Sequence, residues 1–202
     1  MEERCRTICY LRDRWRPILS RIGGFVWLSP LHREAWLLAY PELTESRHAL
    51  VPSPVDPERF RDLGLVRTGV ICVQSLAAFK GADNVIRWAE EHPEQSITAV
   101  DSNPEGRTLP GNMTLVGMVP NHELNALYNR HETFLHIPEN TMPFDRTVVE
   151  GALAGCKLLL NENVGAQSWP WLRQGRTAIV EAMQAAPGQF WDFAEETARR
   201  KP

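Results

Sequence analysis

Short apolar runs alternate with amphipathic stretches along most of the chain. Gly69–Gln74 is apolar and β-rich, and Asp83–Glu91 places Val85, Ile86 and Ala89 on one side of a helix. Ser96–Val100 and Met113–Val116 read as strands. His122–Asn129 reads as a helix with Leu124, Leu127 and Tyr128 inward. Thr133–Ile137 is a strand, Arg146–Ala154 a helix and Lys157–Leu160 a strand. This alternation predicts βαβ units and a mainly parallel sheet. The strands are apolar nearly throughout, as helices on both faces would require.

Upstream, Phe25–Ser29 reads as a strand and Pro30–Tyr40 as a helix stopped by Pro41. His48–Val51 is a further short strand. Ile8, Leu11, Trp15, Ile18 and Ile22 recur at helical spacing within residues 1–24, with Pro17 as an interruption. Pro52, Pro54 and Pro57 stiffen a linker. Gln189–Arg200 is expected to be the last helix, with Phe190, Trp191 and Phe193 apolar. The division expected is a helical and βα piece at 1–50, a linker at 51–67, an α/β domain at 68–185 and a terminal helix at 186–202. The fold class is α/β, a Rossmann-like doubly wound parallel sheet.

Composition narrows the functions. The chain has 202 residues, 43% hydrophobic and 23% charged, which suits a globular domain and excludes a wholly disordered one. The net charge of −3, from 22 Lys+Arg against 25 Asp+Glu, argues against nucleic acid as the primary partner. No apolar run approaches the roughly 18–20 residues of a membrane span. The opening 24 residues are studded with arginine, unlike a secretory signal, so a cytoplasmic location is expected. That segment either lies weakly on an anionic membrane or packs on its own domain with a solvated arginine face. Cys72 and Cys156 sit in apolar stretches and read as buried small hydrophobes. Cys5 and Cys9 have no second Cys/His pair to complete a zinc site, so no metal is expected.

In an open parallel sheet, ligands bind beyond the carboxyl ends of the strands. That rule selects Ser75–Gly81, Asp101–Gly106, Gly117–Asn121, Pro138–Arg146 and Asn161–Ser168. Their ionisable residues are Lys80, Asp101, Glu105, Glu139, Asp145, Arg146 and Glu162, with Glu150 one turn past Arg146. No G-x-G-x-x-G follows the first of these strands, no Walker A sequence occurs, and no Ser or Cys sits in a nucleophile elbow. The six histidines, at 32, 48, 92, 122, 131 and 136, show no metal-binding pattern.

Several pieces come in a telling order: Ser75-Leu-Ala-Ala-Phe-Lys80-Gly81, then Asn112-Met-Thr-Leu-Val-Gly117-Met-Val, then Leu124-Asn-Ala-Leu-Tyr128. Phe134-Leu-His-Ile-Pro138 and Met142-Pro-Phe-Asp-Arg-Thr-Val-Val-Glu150-Gly-Ala-Leu-Ala-Gly155 follow, and Asn163-Val-Gly-Ala166 closes the series. Together they resemble the carboxyl-terminal, donor-binding half of the family 4 retaining glycosyltransferases, which have the GT-B fold. Val51–Phe60 is similar to that family's interdomain linker. The resemblance covers residues 25–185, and it makes the 1–50 piece a truncated amino-terminal remnant and 186–202 a crossover helix.

The resemblance implies a nucleotide-diphosphate sugar as donor substrate, no other cofactor, and metal-independent transfer with retention. It gives Lys80 and Glu150 the catalytic roles, one neutralising the diphosphate and the other accepting from ribose hydroxyls. Gly117, Met118 and Val119 would line the base, and Asp145, Arg146 and Thr147 would open the helix facing phosphate. Met142 and Gly165 would stand on the sugar side. The departures are specific: Met142 replaces the first motif glutamate, Asp145 a glycine and Ser75 an arginine. Two functions remain open, a hexosyltransferase working with a partner acceptor domain, or a catalytically degenerate donor domain that binds a nucleotide or a protein. Residues 1–50 and 189–200 are expected to pack on each other. Any surplus apolar surface would make a homodimer or bind an acceptor-domain chain, the alternative being a monomer.

Overall fold

The computed structural model describes residues 15–103 and 105–200. Cys5, Cys9 and the arginines up to Arg14 lie outside them. So does most of the arginine-rich segment read as membrane-facing or domain-packed; of it, residues 15–19 are described as helical.

Five strands form one parallel sheet: β3 (Val70–Val73), β4 (Ile97–Val100), β5 (Met113–Gly117), β6 (Thr133–His136) and β7 (Lys157–Leu160). Their spatial order is β5-β4-β3-β6-β7. The chain starts in the middle, walks out to one edge, then returns to build the other half, so the strand order reverses between β3 and β6. Val70 lies opposite Thr133 and Ile71 opposite Phe134.

Both faces are covered. Helix α2 (Ala82–Glu91) buries Ala82, Val85 and Ala89 against Val70, Cys72, Ile97 and Ala99. The other face carries α3 (Asn121–Tyr128), α4 (Arg146–Leu153) and α5 (Arg176–Arg199), whose Tyr128, Val148, Leu153, Ile179 and Met183 close over Ile71 and Phe134. The central strands β3 and β6 are apolar because both their faces are covered, whereas the edge strand β5 exposes Leu115 and Val116 to water.

The segment before the linker forms β1 (Phe25–Trp27), α1 (Pro30–Ala39) and β2 (His48–Leu50), with β1 and β2 paired in parallel. Ser29 caps α1 by accepting from the His32 N–H, and its hydroxyl donates to the Pro143 carbonyl at 2.7 Å. Trp169 Nε1 donates to the Leu28 carbonyl at 2.9 Å. The βα unit is thereby seated on the loops after β6 and β7.

The last helix differs from its expected span. It starts at Arg176, not Gln189, and runs through Pro187. Pro187 removes one intrahelical hydrogen bond, but Ile179, Met183 and Ala186 form a buried stripe that holds the helix on α4. Its end meets the amino-terminal piece: a Cβ on Gly24 would lie 2.7 Å from the Phe193 ring, and Arg47 pairs with Glu196 at 3.0 Å. Trp191 points outward and is 63% exposed. Among the described residues, no helix is long and apolar enough to cross a membrane.

Candidate functional site

The reversal of strand order places the loops after β3 and β6 side by side at the carboxyl rim. They touch through backbone. Gly81, at φ +90°, has no room for a side chain: a Cβ would lie 2.7 Å from both the Ile137 oxygen and the Glu139 nitrogen. Asn84 donates to the Ile137 carbonyl and the Glu139 carboxylate, and Asn140 donates to the Phe79 carbonyl. Buried Asn163 donates to the carbonyls of Pro138 and Glu139 at 3.0 Å each. Asparagines thus tie the rim where no ladder hydrogen bond reaches.

Lys80 ends the short 3-10 turn Ala78–Lys80, half-buried at this rim, with its ammonium 5.6 Å from the Phe79 ring centroid. Among the described residues no carboxylate lies within ion-pair distance of it. Across the rim, α4 begins at Asp145, whose φ of +68° is a conformation that favours glycine. Arg146 is exposed and Thr147 half-buried on its first turn. Glu150 is 6% exposed, and the Tyr128 hydroxyl donates to its Oε2 at 3.0 Å. Burial raises the Glu150 carboxyl above its ordinary range, against the bond from Tyr128 and the charges of Arg146 and Arg59. Burial likewise raises the Tyr128 phenol well above its usual value, with Glu150 adding to it.

Sequence reasoning passed over His136 as one of six unpatterned histidines. It ends β6 at 4% exposure, and its Nε2 stands 3.3 Å from Asp145 Oδ2. The angle is not that of a hydrogen bond, so among the described residues both ring nitrogens and Asp145 Oδ2 have no hydrogen-bond partner, and neither does Gln74 Oε1 just past β3. The available signal was position: a polar residue in an apolar strand, at its carboxyl end, beside the reversal of strand order.

The other proposed residues lie around this centre. The Met142 N–H donates to the Asn163 carbonyl, and Met142 bridges Val164 in parallel. Gly165 packs under the carbonyls of Met142 and Pro143, leaving no space for a Cβ. Gly117 ends the edge strand β5 at φ +75°, Met118 is 78% exposed, and Val119 packs on the face of α3. This trio is two strands from Lys80, about 10 Å by strand spacing. Ser75 bonds Ser102 at 3.1 Å, and Glu105 accepts from the Ala78 N–H at 2.9 Å while pairing with Arg107. The Cys72 thiol is pushed up to about 12 and the Cys156 thiol to about 11 by burial, which removes both as nucleophiles at neutral pH. No group of three or more His, Cys, Asp or Glu among the described residues is placed to hold a metal ion.

Two surface cavities lie away from this rim. One, of about 510 Å³, is lined by α1 residues including Arg33 and Leu38. The other, of about 440 Å³, lies among Val26, Leu28, Pro52, Pro187 and Trp191. Neither contains a residue placed at the rim. The chemistry of the rim between β3 and β6, rather than either cavity, marks this shelf as the candidate site.

This architecture matches solved glycosyltransferases. Sucrose-phosphate synthase from Thermosynechococcus elongatus superimposes with a TM-score of 0.59 at 17% identity, over 83% of this chain and 50% of that one. HepE of Anabaena, solved with UDP-glucose, gives 0.61 at 14% identity, over 93% and 67%. The pneumococcal O-GlcNAc transferase GtfA, solved with UDP and GlcNAc, gives 0.60 at 17% identity, over 92% and 44%. The fold is that of the carboxyl-terminal half of a GT-B glycosyltransferase. The chain spans about half the length of sucrose-phosphate synthase and less of GtfA. No protein-family model matches it, and no curated protein matches it by sequence. At these identities the likeness is one of fold.

Proposed function

We propose that this chain binds a nucleoside-diphosphate sugar on the shelf between β3 and β6 and acts as the donor half of a glycosyltransferase. One observation carries the reading: Lys80 and the amino terminus of α4 flank the reversal of strand order, the position at which such sheets take ligands. A lysine with no anionic partner among the described residues and a helix N-terminus suit a diphosphate. Glu150 would accept from ribose hydroxyls, and Gly117–Val119 would lie along the base. UDP-sugar and UDP complexes of the similar folds support this assignment. Transfer would retain anomeric configuration and need no metal, Lys80 and Arg146 carrying the charge of the leaving group. A second copy of this chain or an acceptor-domain protein would be a further partner.

A second reading is binding without transfer. Met142 has no carboxylate with which to hold sugar hydroxyls, its backbone is committed to Asn163 and Val164, and Asp145 sets a negative group at the helix that should meet phosphate. Calorimetric titration with UDP, GDP and ADP and with the matching nucleosides tests the shared core of both readings. A diphosphate must bind at least tenfold more tightly than its nucleoside, about 1.4 kcal/mol. Release of free sugar from the matching donor, followed with and without EDTA, then separates transferase from binder. Equal affinity for nucleoside and diphosphate would remove the site.

A further inference from the structure

Asp145 is the least expected group on this shelf. Its carboxylate stands at the amino terminus of α4, its backbone adopts a left-handed conformation that favours glycine, and its Oδ2 is buried without a hydrogen-bond partner. An ionised carboxylate there opposes any anion that approaches the helix. The side chain facing it is His136, 3.3 Å away, with both ring nitrogens unpartnered and the side chain 5% exposed. Two buried, unsatisfied, titratable groups facing each other are costly to keep.

We propose that His136 is a proton-accepting positioning residue for the donor diphosphate: the imidazole takes up a proton as the diphosphate binds and holds the Asp145 carboxylate away from it. The inference rests on the donor-site reading above. With His136 neutral, Asp145 is an uncompensated negative charge beside the phosphate position. With His136 protonated, the pair is neutral and the imidazolium donates to Oδ2. The arriving diphosphate adds negative charge to the same region and favours the imidazolium further. By linkage, a ligand that promotes proton uptake must itself bind more tightly where protons are abundant.

Other groups on the elements around His136 do not perform this role. On α4, Arg146 is exposed and Glu150 is bonded to Tyr128 of α3. On the loop after β6, Glu139 accepts from Asn84. Lys80 lies beyond β3, Glu162 beyond β7, and Cys72 of β3 packs on the opposite face of the sheet. Among the described residues, Asp145 is the one charged group within ion-pair distance of the ring.

The test is calorimetric titration of the whole chain with UDP, GDP and ADP at pH 7.0, 7.5 and 8.0, in HEPES and in Tris, whose ionisation heats differ. The terminal phosphate of these ligands, with a second pKa of about 6, is largely ionised across this window. The expected result is uptake of about half a proton per ligand bound, with affinity falling roughly threefold from pH 7.0 to 8.0. His136→Leu should abolish the uptake and flatten the pH dependence. Asp145→Gly, which suits the left-handed backbone, should do the same and bind more tightly than the parent at pH 8.0; it also carries the test should His136→Leu not fold. Diphosphate binding with no net proton uptake, or uptake that survives both substitutions, overturns the role of His136 and leaves the donor site standing. Absence of diphosphate binding at every pH overturns the donor site, and this inference with it.

Discussion

The Tyr128 hydroxyl donates to the Glu150 carboxylate at 3.0 Å, and both residues are buried beneath the outer face of α4. The pair joins α3 to α4 under the shelf, so the residue assigned to ribose is also part of the core. Burial raises the Glu150 carboxyl, so the folded chain holds that proton more tightly than the unfolded chain does. The stability it contributes is whole below the unfolded value of about 4.3 and is lost as pH rises through the folded value. Glu150→Gln removes this loss while keeping an acceptor for Tyr128. Its stability relative to the parent, from urea unfolding, should therefore rise between pH 4 and pH 7.5. Tyr128→Phe leaves the buried carboxylate without its donor and should cost about 1–3 kcal/mol at pH 7.5. A Glu150→Gln difference that does not change with pH would mean the carboxylate is solvated in the folded state.

If the proposed donor site is right, Lys80 should separate phosphate recognition from base recognition. It lies at the rim, half-buried and without an ion pair among the described residues, so removing it should change stability little. Lys80→Ala should weaken nucleoside-diphosphate binding roughly tenfold, the scale of one charge-assisted hydrogen bond, and leave nucleoside binding unchanged. Paired calorimetric titrations read the difference directly. Equal weakening of both ligands would show that the lysine does not read phosphate.

Most of the fold was legible because the centre of the sheet is buried on both sides. Val70–Val73, Thr133–His136 and Lys157–Leu160 stand out as apolar runs between polar loops, and the structure places a strand on each. The end of the chain was harder. Pro187 reads locally as a helix break, yet the stripe Ile179, Met183 and Ala186 outweighs one missing hydrogen bond. At the candidate site, Lys80 was picked out because it follows a strand end, and Glu150 because it lies one turn past Arg146 in a recognisable order of pieces. His136 was not, since a lone histidine carries no pattern until the sheet order puts it beneath α4 and beside Asp145. The ties made by Asn84, Asn140 and Asn163 to backbone carbonyls link positions up to 61 residues apart and leave no local trace.

Arg67 is the clamp on the opposite side of the domain from the shelf. Its guanidinium donates to the Asp62 carboxylate, the Asn129 side chain and the carbonyls of Tyr128 and Ala154, with its side chain 15% exposed. One residue of the linker thus satisfies the carboxyl ends of α3 and α4. Arg67→Met keeps the apolar stem and strips the donors, leaving several acceptors dry. The expected cost is about 3 kcal/mol, or a fall in melting temperature of about 6–12 °C for a domain of this size. Calorimetric melting checks it, and a change under 2 °C would show that water replaces the guanidinium at no cost.

Gly81 ties backbone geometry to function. Two independent facts restrict the position: a φ of +90° that L side chains rarely adopt, and backbone atoms of Ile137, Pro138 and Glu139 at 2.7–2.8 Å from where a Cβ would stand. The obstructing atoms belong to main chain tied down by Asn84 and Asn163, so they cannot swing aside as a flexible side chain would. Gly81→Ala must therefore part the loops after β3 and β6 or unwind the first turn of α2. Either change carries Lys80, the preceding residue, out of register with α4. The expected result is a loss of roughly 2–3 kcal/mol in denaturant unfolding, from strain and overpacking together. Diphosphate affinity should fall as well, even though no atom of Gly81 needs to touch the ligand. Gly64 serves as the control, because it has a similar φ of +67° with no heavy atom within 4 Å of its Cβ position. Gly64→Ala should show the strain alone, about 1 kcal/mol, with binding unchanged. If the two substitutions cost the same and Gly81→Ala binds normally, the loops are not in register-setting contact and the shelf does not depend on their packing.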